Sequence, residues 1–139
     1  MKITLKRIND DYHFELQNER GHKVYLDSKA EFGGHDLAPS PMELLLMGVA
    51  GCSAIDIISI LKKQRQNITD YYAEVEGERI PVDEAKPFKS IFVTVFLEGE
   101  IDEDKAQKAA QLSFDKYCSV SKTLEPNVEV KYQVKVNQK

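Results

Sequence analysis

From residue 44 to residue 61 the chain is almost wholly apolar, and Asp56 is the single charged side chain in the run. Ser40 in front of it suits a helix N-cap, Pro41 suits the first helical position, and Glu43 completes an S-x-x-E capping box. Lys62, Lys63 and Arg65 follow the run, where cations complement the helix dipole. The pattern predicts one helix of roughly 26 residues, long for a chain of this size. Its length approaches that of a membrane span. Gly48, Gly51, Ser53, Asp56 and Ser59 interrupt it, however, and a carboxylate at a bilayer centre is expensive. The expectation is therefore a buried core helix and no membrane association. A helix apolar on almost every side must be covered all round. One small sheet covers one side only, so the rest calls for a second helix or a second subunit.

Around this helix the pattern is that of strands. Residues 2–8, 12–16 and 22–26 alternate and are joined by turns, which predicts a small antiparallel meander. Gly33 and Gly34 mark a loop before the helix. After it, residues 71–79, 88–97 and 128–136 read as strands, with a helix over 102–117 and a short helix restarting after Cys118. No repeat or linker interrupts the order. The expectation is a single α+β domain over residues 1–139.

Composition narrows the function. A net charge of −4 with scattered cations and no Trp leaves no basic stripe or stacking platform for nucleic acid. The first residues alternate and lack the apolar core of a secretory leader, so the expected compartment is the cytoplasm. Thiols stay reduced there unless they are catalytic, sensing or metal-bound. The histidines His13, His22 and His35 have no metal-ligand spacing, so no metal or other cofactor is expected.

Cys52 and Cys118 are the two cysteines, one in the apolar helix and one at a helix break. They read either as an attacking thiolate with a resolving partner or as two small buried residues. Cys52 lies too deep in its helix for the dipole to act on it, and burial among apolar neighbours would raise its pKa. Cys118, at a helix start, is the one that local physics would make more acidic. Glu43 stands nine residues before Cys52, roughly 13.5 Å along the axis and half a revolution round, so it cannot touch that thiol on its own helix. It either caps the helix or orients an arginine at a partner subunit's thiol. Asp56, a lone carboxylate on an apolar helix, needs a partner or a wet edge.

Gly33-Gly34, then Pro39-Ser40-Pro41-Met42-Glu43-Leu44-Leu45-Leu46, then Gly51-Cys52, and far downstream Tyr117-Cys118-Ser119-Val120-Ser121-Lys122, resemble the OsmC/Ohr family of osmotically induced and organic-hydroperoxide-resistance proteins. The order of elements agrees along almost the whole chain. The resemblance implies an intertwined homodimer with the long cysteine-bearing helices packed at its centre. It implies thiol-dependent reduction of organic hydroperoxides, with Cys52 attacking, Cys118 resolving, and an external dithiol of lipoyl or thioredoxin type restoring both thiols. An arginine near the first thiol is also implied. Arg20, in a turn between early strands, is the candidate, with Arg7 the alternative. Two positions depart from the pattern. Met42 stands where many hydroperoxide-resistance members carry a catalytic Glu, with Glu43 one residue late, and Ser119 follows Cys118 where Pro is frequent. These departures keep open a second reading, a non-enzymatic dimer of the same fold that holds a small hydrophobic ligand and uses its cysteines only for packing.

Overall fold

The computed structural model describes residues 1–138 and divides into two compact units, Met1–Leu45 and the remainder of the chain from Leu46. In the first unit, β1 (Ile3–Arg7), β2 (Phe14–Asn18) and β3 (Lys23–Leu26) form an antiparallel meander in sequence order. A single 3-10 turn, Ala30–Phe32, follows it. The loop from β3 onward winds round the buried carboxylate of Asp27. One of its oxygens accepts the Ser28 N–H at 2.7 Å; the other accepts those of His35 at 3.3 Å and Leu37 at 3.1 Å. Gly34 is required here, since a Cβ at that position would lie 2.0 Å from the Ser28 carbonyl oxygen.

Helix α1 (Pro41–Lys63) begins in the first unit and continues into the second. Its capping box forms as the sequence implied. The Ser40 N–H donates to Glu43 Oε1 at 2.9 Å, and the Glu43 N–H donates to Ser40 Oγ at 3.3 Å. The helix stops at Lys63, short of the expected end, because Arg65 takes a left-handed conformation with φ 59°.

In the second unit β4 (Asn67–Arg79) pairs antiparallel with β5 (Phe88–Glu100), and β6 (Glu129–Val136) joins β5 in parallel. β4 starts before the expected position, at Asn67, because β5 also runs on to Glu100 and gives residues 67–70 a partner. A parallel neighbour needs a crossover. Helix α2 (Glu103–Leu112), a π-helical turn (Ser113–Tyr117) and helix α3 (Ser119–Leu124) supply it. The core gathers alternate residues of β5 (Ile91, Val93, Val95 and Leu97) with Ala106, Ala109 and Ala110 of α2, all fully buried. Burying a Val, Leu or Ile side chain contributes about 1.5–3 kcal/mol each. From α1 only Val49, Ser53, Ile57 and Leu61 are buried, a stripe at four-residue spacing along one face. The other faces stay open in one chain: Met47 and Ile55 are 52% and 71% exposed. The helix is thus apolar all round but covered along one stripe. By length and composition alone it is also apolar enough to cross a membrane.

Candidate functional site: two thiols and a carboxylate

The site lies within the second unit, where α1 meets the π-helical turn and α3. Four residues separate Cys52 from Asp56, so both side chains leave α1 on the same side. Gly48, one turn before Cys52, is where α3 comes close. A Cβ on Gly48 would stand 3.6 Å from a methyl of Val120, so the helices pack at ordinary contact distance. Cys118 sits just before α3 and reaches its position through the π-helical turn. Its N–H donates to the Ser113 carbonyl at 2.7 Å, five residues back. Single π turns of this kind occur frequently at functional sites. The turn is anchored from the other side by Phe114, whose ring stacks on Tyr132 of β6 at 4.7 Å between centroids.

The result is that the sulfurs of Cys52 and Cys118 and a carboxylate oxygen of Asp56 all lie within 4.8 Å of one another. Both cysteines are reduced; Cys118 is fully buried and Cys52 half-buried. The Ser121 hydroxyl donates to Cys118 Sγ at 3.1 Å, and the Ser113 hydroxyl donates to Asp56 Oδ2 at 3.1 Å. Among the described residues Asp56 makes no ion pair. An open cleft of about 410 Å³ runs beside Asp56, lined also by Ile60, Lys63, Gln64, Leu112 and Tyr117. That volume lies in the range of roughly 300–1,000 Å³ usual for small-molecule sites.

Local sequence physics favoured an acidic Cys118, and in the structure the pKa of that thiol is raised instead. Burial pushes its pKa up; the Ser121 hydroxyl and N–H pull it down; and the Cys52 thiol beside it pushes it up again, for a net rise. A six-residue helix start does not outweigh removal from water.

The remaining sequence candidates belong to the first unit. Glu43 is exposed at the start of α1, and the backbone N–H and hydroxyl of Ser40 beside its carboxylate hold its pKa below the usual value against a weaker burial effect. This is the capping alternative. Arg7 is engaged by its own unit, with its guanidinium donating to the carbonyls of Asp11 at 2.9 Å and of Asp10. Arg20 occupies the β2–β3 turn; its backbone N–H donates to Asn18 Oδ1 at 3.0 Å, and its guanidinium has no partner among the described residues. His35 pairs with Asp11 at 2.7 Å, both exposed. Sequence reasoning missed the roles of Ser113 and Ser121, and of Asp27 in the first unit. Asp56 stood out as a lone carboxylate, but its partner lies 57 positions away and nothing local pointed to it.

A long apolar helix crossed by a short one, with two thiols at the crossing and a sheet beside them, defines a two-cysteine α+β protein. The chain belongs to the OsmC-like protein family, which it matches over residues 33–133. Protein YhfA of Escherichia coli K12 is 36% identical over 121 residues, covering 86% of this chain and 87% of that one. Among solved structures, a protein from Aquifex aeolicus is similar at 28% identity, with a TM-score of 0.78 and coverage of 99% of this chain and 97% of the other. The organic hydroperoxide resistance protein OsmC of Legionella pneumophila, at 22% identity, shares the fold with a TM-score of 0.74 over 98% of each chain. The α+β architecture expected from the sequence is thus the architecture of the family.

Proposed function

We propose that the chain is a thiol peroxidase that reduces organic hydroperoxides through Cys52 and Cys118. The observation that carries this reading is the approach of the two free sulfurs to within 4.8 Å of each other. The family supports it too, since it includes a protein named for organic hydroperoxide resistance. Cys52 is the attacking thiol because it is the more exposed of the pair. Its thiolate attacks the distal peroxide oxygen. The O–O bond breaks, the alcohol leaves with a proton, and Cys52 becomes a sulfenic acid. The sulfur of Cys118 then attacks that of Cys52, the S–O bond breaks, and water departs with the thiol proton. An external dithiol of lipoyl or thioredoxin type returns both cysteines to thiols by exchange.

A mid-helix thiol gains nothing from the helix dipole, so a cation must favour its thiolate. We assign that role to Arg20, the arginine that the resemblance to the family points to, with Arg7 the alternative. Glu43 acts as the cap of α1. The uncovered faces of α1, with Ile55 and Met47 at the surface, support pairing of two chains along this helix as a homodimer rather than insertion into lipid.

Consumption of cumene hydroperoxide with a dithiol reductant is the direct test. Turnover is expected in the wild type, is lost in Cys52→Ser, and falls by at least about tenfold in Arg20→Ala, the scale of one removed charge contact. Equal rates in wild type and Cys52→Ser would overturn the peroxidase reading and leave the cysteines as packing residues beside a ligand cleft.

A further inference from the structure

The geometry points to a second use of the same three side chains: the reduced protein binds a thiophilic divalent cation, Zn²⁺, through Cys52 Sγ, Cys118 Sγ and one carboxylate oxygen of Asp56. Three lone-pair donors converge here within 4.8 Å, and no cationic side chain pairs with the carboxylate among the described residues. Tetrahedral zinc, with Zn–S near 2.3 Å and Zn–O near 2.1 Å, sets its ligand atoms roughly 3.5–3.8 Å apart. The set therefore has to close by at most about 1.3 Å, within the reach of side-chain rotation.

Further observations suit a metal site. Metal ligands are normally oriented by hydrogen bonds from a surrounding shell. Cys118 and Asp56 each receive one, from the Ser121 and Ser113 hydroxyls, and each keeps lone pairs free for the ion. Asp56 also lines an open cleft and Cys52 is only half-buried, so water can reach the cluster to complete the coordination. Three protein ligands and an open position describe an exchangeable ion rather than a closed structural one. Two thiolates and a carboxylate favour zinc over magnesium or calcium, which take oxygen ligands. No short Cys-x-x-Cys spacing announces the site, because the ligands come from 52 and 56 on one helix and from 118 across the fold.

Metal binding rests on this geometry alone. Its consequence for turnover rests on the peroxidase reading. There, zinc and hydroperoxide compete for the same sulfurs. Oxidation joins the two sulfurs in an S–S bond, passes their two electrons to the O–O bond and removes the thiolates that would hold the ion. Alcohol and water form with two protons from solvent, and the ion is released.

Anaerobic titration of the reduced, metal-free protein with Zn²⁺ against a chromophoric chelator tests the site without peroxide. One ion per chain is expected. Binding is lost in Cys118→Ser and weakened by at least about tenfold in Asp56→Ala and Asp56→Asn, the latter keeping the shape and a partner for Ser113. Co²⁺ in place of Zn²⁺ should give a thiolate-to-metal charge-transfer band in the wild type, read on protein whose circular dichroism is unchanged. Failure to bind one ion, or an affinity indifferent to Asp56, overturns the proposal. In the first case, persisting hydroperoxide turnover would leave the peroxidase reading standing. Zinc binding without turnover would overturn that reading and keep the metal site.

Discussion

Cys118 is a thiol whose surroundings disagree about its proton. Burial and the neighbouring Cys52 favour the neutral form, and Ser121 favours the thiolate. Among the described residues, the Ser121 hydroxyl is thus the donor side chain that favours the Cys118 thiolate. In a Cys52→Ser background, Ser121→Ala should slow alkylation of Cys118 by iodoacetamide roughly two- to tenfold at fixed pH, the range implied by one hydrogen bond worth about 0.5–1.5 kcal/mol. An unchanged rate would mean that Ser121 only packs against the sulfur. At this scale the two cysteines were legible in the sequence because flanking motifs mark them. Ser113 and Ser121 were not, since a serine within or beside a helix reads as a cap or a surface residue until the sulfur or carboxylate it serves is brought to it by the fold.

At the scale of elements, the loop after β3 is held by a buried carboxylate. Burial works to raise the pKa of Asp27, but the N–H groups of Leu37, Ser28 and His35 together bring it below its ordinary 3.8. A folded-state pKa below the unfolded value contributes stability that is present above the unfolded pKa and lost as pH falls through the folded one. Asp27→Asn should therefore melt at lower temperature than the wild type at neutral pH, with the gap closing below pH 3.8. Thermal melts of both proteins from pH 7 to pH 2 check this, and a gap independent of pH would contradict it. The capping box of α1 and its apolar run were readable from residue order alone. The stretch after Leu112 was not: a single helix over residues 102–117 was expected, and the chain switches to a π-helical turn at Ser113. Helical periodicity does not report that switch, because it takes its reason from tertiary contacts: Phe114 on Tyr132, and Ser113 on Asp56.

At the scale of the whole molecule, α1 carries more apolar surface than one chain covers. Its buried stripe is Val49, Ser53, Ile57 and Leu61, while Ile55 stays 71% exposed. The sequence made the same demand when it placed apolar residues on nearly every side of the helix, and it could not say what answers it. If a second copy does, the wild type should sediment as a dimer, since stable pairs bury roughly 800 Å² on each partner. Ile55→Glu should shift it to monomer by placing a charge at the helix contact. A wild-type monomer, or a dimer indifferent to this change, would refute pairing along α1. The proposed chemistry depends on sulfurs that the fold, not the sequence order, brings together. Peptide mapping by mass spectrometry after one equivalent of cumene hydroperoxide tests this most directly. A bond linking Cys52 to Cys118 within one chain, absent in Cys52→Ser and in Cys118→Ser, is expected. Two thiols left unlinked, or linked only between chains, would contradict it.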